Sequence, residues 1–179
     1  MSEFSHPPHP YRLRRAGIEA VDALEPLWLA VHDAHRASMP GLAPYVEDGV
    51  SWRERRKLYH ELLRKPDTLL LLAHDPQDLV AYGLAHVAHT TETWVGDTWA
   101  TGERIGEIES LSVAPAHRGR GLGDCLLRAL EAHLEAQGVR DLIIGLLPGN
   151  TGALRLYERH GYRPAWTYLS RFHGRSPQG

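Results

Sequence analysis

The stretch that most constrains this chain is Ile105–Leu134, where three different local structures follow one another without a spacer. It reads I-G-E-I-E-S-L-S-V-A-P, then A-H-R-G-R-G-L-G, then D-C-L-L-R-A-L-E-A-H-L. The first part is apolar and β-prone, and it stops at Pro115, which has no amide hydrogen for a ladder. In the last part Leu122, Leu126, Leu130 and Leu134 fall on one helical face, with Cys125, Ala129 and His133 beside them. Gly138 stands where the glycine after a helix C-terminus belongs. The loop between strand and helix carries Gly119, Gly121 and Gly123 with Arg118 and Arg120. A glycine-rich turn at a helix N-terminus presents unpaired N–H groups and the positive end of the dipole, so it favours an anion, above all a phosphate.

Two nucleotide motifs compete for this loop and both fail. A P-loop needs Lys-Ser/Thr after its last glycine, whereas Gly123 is followed by Asp124 and Cys125. A dinucleotide fingerprint begun at Gly119 and Gly121 needs a third glycine where Asp124 stands. The pattern that fits is R-x-x-G-x-G, at Arg118, Gly121 and Gly123. Here the chain resembles the GCN5-related N-acetyltransferase (GNAT) family, whose Q/R-x-x-G-x-G/A loop follows a strand and opens a helix. A second block agrees. Asn150–Tyr162, N-T-G-A-L-R-L-Y-E-R-H-G-Y, is similar to the family's N-x-x-A-x-x-L-Y-x-x-x-G-F/Y at Asn150, Ala153, Leu156, Tyr157, Gly161 and Tyr162. One helix and one apolar strand, Asp141–Leu147, separate the blocks, in the family's order. The resemblance is specific over Ile105–Pro164 and general before it.

The whole chain sets bounds. At 179 residues it reads as one domain with room for a sizeable core. Residues 1–10 read as a polar, proline-rich lead-in, 11–173 as the domain, and 174–179 as a tail. With 20 Lys+Arg against 22 Asp+Glu the net charge is −2, so no nucleic-acid footprint is expected. Cys125 is the only cysteine, which excludes an intramolecular disulfide. The absence of a long apolar run or a signal-peptide pattern predicts no membrane partner and a cytoplasmic protein. Twelve histidines are scattered, without spacing such as H-E-x-x-H, so no metal is expected.

Taken in order, Tyr11–Arg15 alternates weakly as a first strand. A helix then runs to about Ser38, with Pro26 in its first turn. Leu24, Leu27, Val31 and Ala34 make its apolar stripe. Trp28, His32 and His35 make a second stripe, which either edges the core or, as the resemblance implies for a first helix, lines an acceptor pocket. Ala37–Ser51 reads as a loop from Pro40, Gly41, Pro44 and Gly49. It carries Tyr45, Glu47 and Asp48; by resemblance it covers the acceptor site, and acidic residues there attract a cationic amine. A second helix is expected over Trp52–Lys65, before Pro66. Strands at Thr68–His74 and Leu79–His89 form a hairpin. Thr90–Gly102 holds Trp94 and Trp99, and reads either as a hairpin tip near the acceptor or as an oligomer contact, such as a homodimer's. Ile105–Val113 is the central strand. Thr151–His160 is a short helix capped by Asn150, and Tyr162–Phe172 supplies a last strand or pair of strands.

Strict alternation along the central strand puts Ile105, Glu107, Glu109 and Leu111 on one face and Gly106, Ile108, Ser110 and Ser112 on the other. Two glutamates beside two large apolar residues suit neither a dry face nor an exposed one. A wet cleft lined by carboxylates reconciles them; the alternative is that both are partners for surface arginines.

The resemblance implies a three-layer α/β fold with a mixed, mostly antiparallel sheet, splayed where the central strand meets the next, parallel one. It also implies N-acyl transfer from acetyl-CoA by direct attack, without a covalent enzyme intermediate; Cys125 is better explained by packing. The acceptor is a small-molecule or peptide amine. Rival readings are a peptide or protein N-terminal or lysine acetyltransferase and a non-catalytic acyl-CoA sensor. Carried over residue by residue, Glu107 is the base with Glu109 in reserve, and Tyr157 is the general acid. The backbone of Leu111, Ser112 and Val113 holds the pantetheine arm, and the Leu111 N–H serves the thioester oxygen. Gly119, Arg120, Gly121, Leu122, Gly123 and Asp124 hold the pyrophosphate, with Arg118 as a nearby cation. Asn150, matched together with Ala153, touches the pantetheine arm.

Overall fold

The computed structural model describes residue 8, residues 10–42 and residues 44–172. The lead-in expected over 1–10 lies outside them except for Pro8 and Pro10, and the tail expected over 174–179 lies wholly outside.

Five strands form one sheet in the order β1-β2-β3-β4-β5: Arg12–Ala16, Leu69–His74, Leu79–His89, Arg104–Val113 and Leu142–Ile144. The first three pairings are antiparallel and β4–β5 is parallel. Helices α1 (Glu25–Ser38) and α2 (Asp48–Leu62) cover one face; α3 (Leu122–Ala136) and α4 (Thr151–Arg159) cover the other. The β2 sequence L-L-L-L-A is apolar without alternation because it is buried on both faces. Leu69, Leu71 and Ala73 join the α3 core, whereas Leu70 and Leu72 join the core under α1 and α2. No described helix is long and apolar enough to cross a membrane.

The leucine stripe of α3 packs as its period requires: Leu122, Leu126, Leu130 and Leu134 are all buried. The helix closes in a Schellman arrangement. Gly138 takes φ +76°, its amide donates to Glu135 O at 2.8 Å, and Val139 donates to Leu134 O at 3.0 Å. Pro26 sits in the first turn of α1, and a 3-10 segment over Ile18–Leu24 leads into it.

Four expectations need correction. Helix α2 begins at Asp48, not Trp52, and ends at Leu62. Asp48 stands on the positive end of the dipole, and Ser51 N donates to Glu47 O at 2.9 Å, so Gly49 is absorbed into a first turn. The strand expected over Asp141–Leu147 pairs only at Leu142–Ile144, because β5 leaves β4 after Ile144. Tyr162–Phe172 forms no strand. It stands off β5 across a cavity of about 720 Å³, so its backbone has no ladder to join, and Pro164 removes one donor besides.

The fourth correction concerns β4. Leu84 lies opposite Ser110 and Ala85 opposite Ile108, so Glu109 is an extra residue with no partner on β3. This bulge reverses the alternation beyond it. Ser110 and Ser112 turn toward α1 and α2, where Tyr59 Oη donates to Ser110 Oγ at 2.6 Å and Ser112 Oγ donates to Leu27 O at 2.8 Å. Ile108, Leu111 and Val113 pack on the α3 side.

Any L side chain at Gly138 must adopt the left-handed conformation, which costs roughly 1–2 kcal/mol. Gly138→Ala should therefore lower unfolding free energy by about 1 kcal/mol in urea titration. An unchanged midpoint would show that the helix can end there some other way.

Candidate active site

Where β4 and β5 part, a cavity of about 310 Å³ opens. Its walls are Trp28, Val31 and His35 from α1, Arg55 from α2, Glu107–Leu111 from β4, Gly145–Leu147 after β5, and Asn150 and Tyr157 around α4. Glu107, Glu109, Leu111, Asn150, Tyr157, Trp28 and His35 are thus brought together as expected. His32 and Tyr45 are placed elsewhere. The His32 Nε2 atom lies 3.0 Å from Val46 O, and Tyr45 Oη donates to Met39 O. They brace the segment between α1 and α2 and do not line the cavity.

The two glutamates have different surroundings. Glu109 is held: the Arg55 guanidinium hydrogen-bonds its carboxylate and lies 3.9 Å over the Trp28 ring. Trp28 is itself fixed, its Nε1–H donating to Ser51 Oγ at 3.0 Å. Burial raises the Glu109 carboxyl, Arg55 pulls it down, and burial prevails. No arginine among the described residues pairs with Glu107. Burial alone raises its carboxyl above the ordinary value, and its side chain is 34% exposed against 16% for Glu109. His86 completes the group: its Nε2 lies 3.6 Å from Glu107 Oε2 and 3.9 Å from Glu109 Oε2. His35 also faces the cavity, edge-on to Trp28, and burial lowers its imidazole.

Across the cavity Tyr157 is buried, and burial pushes its phenol up to about 12. It therefore stays protonated throughout the physiological range. Asn150 caps α4, its Oδ1 accepting from Ala153 N at 3.2 Å, which fixes the start of the helix that carries Tyr157. Ala153 packs against the core beneath.

At the far end of β4 the glycine loop keeps its backbone open. Gly119 and Gly121 take φ +73° and +79°, and no side chain caps the α3 N-terminus. The N–H groups of Leu122, Gly123 and Asp124 have no acceptor within the helix, which leaves them available to an anion. The Asp124 carboxylate is committed elsewhere: Arg128 Nε lies 2.9 Å from it and His160 Nε2 2.8 Å, and both hold it below its ordinary range. Arg118 donates from Nε to Val113 O at 3.0 Å, which ties the loop to the strand end. Arg120 reaches toward Tyr11 Oη at 3.5 Å. Cys125 is buried, and burial raises its thiol, as packing rather than chemistry requires.

The larger cavity beside β5 meets this site, sharing Glu107, Gly145, Leu146 and Tyr157. Trp94 lines it together with Trp166 and Tyr168. Trp99 packs edge-on against Trp94, with ring centroids 5.5 Å apart. The Thr90–Gly102 segment is therefore beside the site.

The sequence model of the acetyltransferase (GNAT) family matches residues 27–162. The chain belongs to that family. Among characterised sequences it is 28% identical over 165 residues to mycothiol acetyltransferase of Renibacterium salmoninarum, covering 82% of this chain and 49% of that protein. It is 36% identical over 80 residues to mycothiol acetyltransferase of Corynebacterium glutamicum, covering 44% and 27%. The chain thus spans half or less of the length of these relatives. In fold it matches a tetramutant of the BH1408 protein of Bacillus halodurans, with TM-score 0.70 at 19% identity over 90% of this chain and 99% of that one. A predicted acetyltransferase of Clostridium acetobutylicum, solved with acetyl-CoA, matches with TM-score 0.68 at 15% identity over 89% and 96%. At these identities the likeness to the GNAT neighbours is one of fold.

Sequence reasoning missed Arg55 and His86. Arg55 lies in R-E-R-R-K, which reads as a solvated helix face. His86 lies in a strand whose register with the glutamates no local pattern supplies. The one available signal was the reading of Thr90–Gly102 as a hairpin tip, which makes Leu79–His89 the neighbour of the central strand.

Arg55 and Glu109 are both largely shielded, so removing one partner strands the other's charge. Arg55→Met should destabilise the fold at neutral pH by about 1–3 kcal/mol. Without Arg55 the carboxyl rises further above its ordinary 4.5. A carboxyl raised in the folded state disfavours folding once pH climbs above the unfolded value, so the mutant's deficit should grow with pH and shrink toward pH 4. Melting temperatures of both proteins across that range check this; a deficit independent of pH would contradict it.

Proposed function

We propose that the protein transfers the acetyl group of acetyl-CoA to a primary amine, most readily that of a small molecule, by direct attack in a ternary complex. The observation that carries this reading is the placement of Glu107 and Tyr157 on one cavity, where β4 and β5 part, with an uncapped glycine-rich helix N-terminus at the end of β4. Fold neighbours and relatives that are acetyltransferases support the reaction class; the relatives' acceptor is not carried over, given how little of their length this chain spans.

The residues fit acetyl-CoA. The free amides of Leu122, Gly123 and Asp124 meet the pyrophosphate, and Arg118 adds positive charge at the loop. Beyond Ile108 the inner edge of β4 has no β5 partner, so the backbone of Leu111 and Ser112 is open to the pantetheine arm, with Asn150 opposite, while Val113 O accepts from Arg118. The cofactor supplies an activated acyl thioester. The chain's residues do the rest. Glu107, raised by burial yet open to the cavity, takes the proton from the acceptor ammonium. The neutral amine nitrogen bonds to the acyl carbon, the carbon–sulfur bond breaks, and the second proton on that nitrogen leaves to the departing thiolate or to water. Tyr157 donates its hydroxyl hydrogen bond to the departing sulfur. Transfer of that proton is not required, because the thiolate of a thiol of ordinary pKa, about 8.5, is a weaker base than this phenolate. Glu109, bound to Arg55, stays a fixed counter-charge. The net negative character of Glu107, Glu109 and Arg55 together suits a cationic acceptor. The rival sensor reading leaves these poised groups without a task.

The direct test is release of free CoA thiol from acetyl-CoA with a panel of polyamines, amino acids, aminoglycosides and peptides. Thiol release with none of them, under saturating acetyl-CoA, would overturn the reading. Gly121→Asp should abolish acetyl-CoA binding in calorimetry, since it places a carboxylate beside the anion site at a backbone angle that suits glycine. Retained affinity would remove the phosphate-cradle role.

Glu107→Gln should lower turnover by about 100- to 10,000-fold with acetyl-CoA affinity unchanged. The base works only when ionised, and burial raises its carboxyl, so the wild-type rate climbs as pH passes that raised value. The glutamine variant should lose this limb. If Glu109→Gln loses it instead, the two carboxylates have exchanged roles. Tyr157→Phe should lower turnover by about 10- to 100-fold, with a smaller loss for a thioester whose thiol is more acidic. Equal losses for both esters would make Tyr157 a cofactor-positioning group.

A further inference from the structure

We propose that His86 is a positioning residue of this site, and that its imidazole shares, through Glu107, the proton that Glu107 takes from the acceptor amine. The proposal rests on the N-acyl-transfer reading of the cavity. Its basis is placement. His86 on β3 is the register partner of Glu107 on β4, so the two side chains leave the same face of the sheet side by side. The imidazole Nε2 lies 3.6 Å from Glu107 Oε2 and 3.9 Å from Glu109 Oε2. The His86 side chain is 8% exposed and Glu107 34%. Glu107 therefore stands between the imidazole and the cavity, and His86 meets the substrate's proton only by way of it. Such contacts shorten when substrate closes a site.

The charges around the imidazole decide what it can do. Glu107 and Glu109 face it from β4, Arg55 reaches the group from α2 through Glu109, and Lys65 acts on it from beyond the end of α2. Burial lowers the imidazole and Glu109 raises it, with burial prevailing; burial raises Glu107. These opposite shifts move the two proton affinities toward each other, which together with the facing geometry favours passing a proton between the groups. In sequence, the proton leaves the ammonium nitrogen for Glu107 Oε, and the Glu107 O–H hydrogen passes to His86 Nε2. The tautomer with its hydrogen on Nδ1 presents the lone pair this needs. After the amide forms, the proton returns through Glu107 to water. Glu109, held by Arg55, offsets the imidazolium charge throughout.

Two measurements test this. The first needs no acceptor: the His86 imidazole is titrated by NMR in the full chain, in wild type and in Glu107→Gln. Loss of the carboxylate facing Nε2 should lower the His86 midpoint, and an unmoved midpoint would overturn the proposal. The second uses whichever amine the wild type acetylates. His86→Gln keeps a side-chain N–H donor but cannot take a proton. It should lower kcat by about 10- to 100-fold, leave KM for the amine and acetyl-CoA affinity unchanged, and move the ascending limb of the pH profile to lower pH. Wild-type kcat and pH profile in His86→Gln would reduce His86 to a packing residue and leave the acyl-transfer reading intact. A wild type that releases no CoA with any amine strikes at that reading instead, and the NMR titration still decides whether the two groups are coupled.

Discussion

The structure depends on one extra residue. Glu109 has no partner on β3, and that bulge lets a single strand satisfy two incompatible demands. Before it, Glu107 faces His86 while Ile108 packs on the α3 side; after it, Ser110 and Ser112 face α1 and α2 while Leu111 and Val113 pack on the α3 side. An unbroken strand would have set Leu111 beside the carboxylates and both serines in the opposite core. The bulge instead gives one face to polar groups, and both serines on it find partners. Ser110 joins a buried chain with Tyr59 and Tyr82, whose hydroxyls lie 2.8 Å apart, and Ser112 ties β4 to α1. Bulges collect beside active sites because they re-aim side chains in this way.

A second constraint is that β4 and β5 pair over only three residues. Two parallel strands that part so early need other bonds to keep their flanking helices in register. Here His160 serves. At the end of α4, it lies 2.8 Å from Asp124 and 2.9 Å from Glu131 on α3, and its side chain is 3% exposed. The helix that carries the glycine loop is thereby joined to the helix that carries Asn150 and Tyr157. In the proposed reaction these hold opposite ends of one cofactor, so their spacing matters more than that of any other pair of elements. Asp124 thus reads best as a clamp whose backbone amide, not its carboxylate, faces the phosphates.

Most of the fold was legible because it is written in local periods. The four leucines of α3, the unalternating leucine run of β2, the Asn150 cap and Gly138 each carry their structure within a few residues. What was not legible depends on residues distant in sequence. The bulge is a property of register, and no pattern within β4 marks it. Arg55 looks like one of several solvated cations until Trp28 and Glu109 are folded beside it. The start of α2 was hidden by Gly49, which costs little in a first turn. A last strand or pair of strands was expected over Tyr162–Phe172, yet a strand needs a partner as well as a sequence; β5 supplies too short an edge across too wide a gap. Trp28 and His35 reached the cavity while His32, between them on the helix, turned to Val46 O. A stripe at helical spacing is wider than the opening it borders.

The same burial that forms the site sets its chemistry unevenly. Desolvation disfavours charge, so it raises Glu107, making it a stronger base, and raises Tyr157, making it a weaker acid. A site built this way helps most where a proton must be removed from a cationic amine, and least where one must be handed to sulfur. That balance suits a thioester, whose leaving group is stable as a thiolate near neutral pH and gains enough from a hydrogen bond. It would not suit an ester of an alcohol, whose alkoxide needs a full proton in the transition state. In the proposed reaction substrate chemistry and protein dielectric therefore match: the cavity can be dry enough to sharpen a base because a thiolate leaving group asks little of an acid.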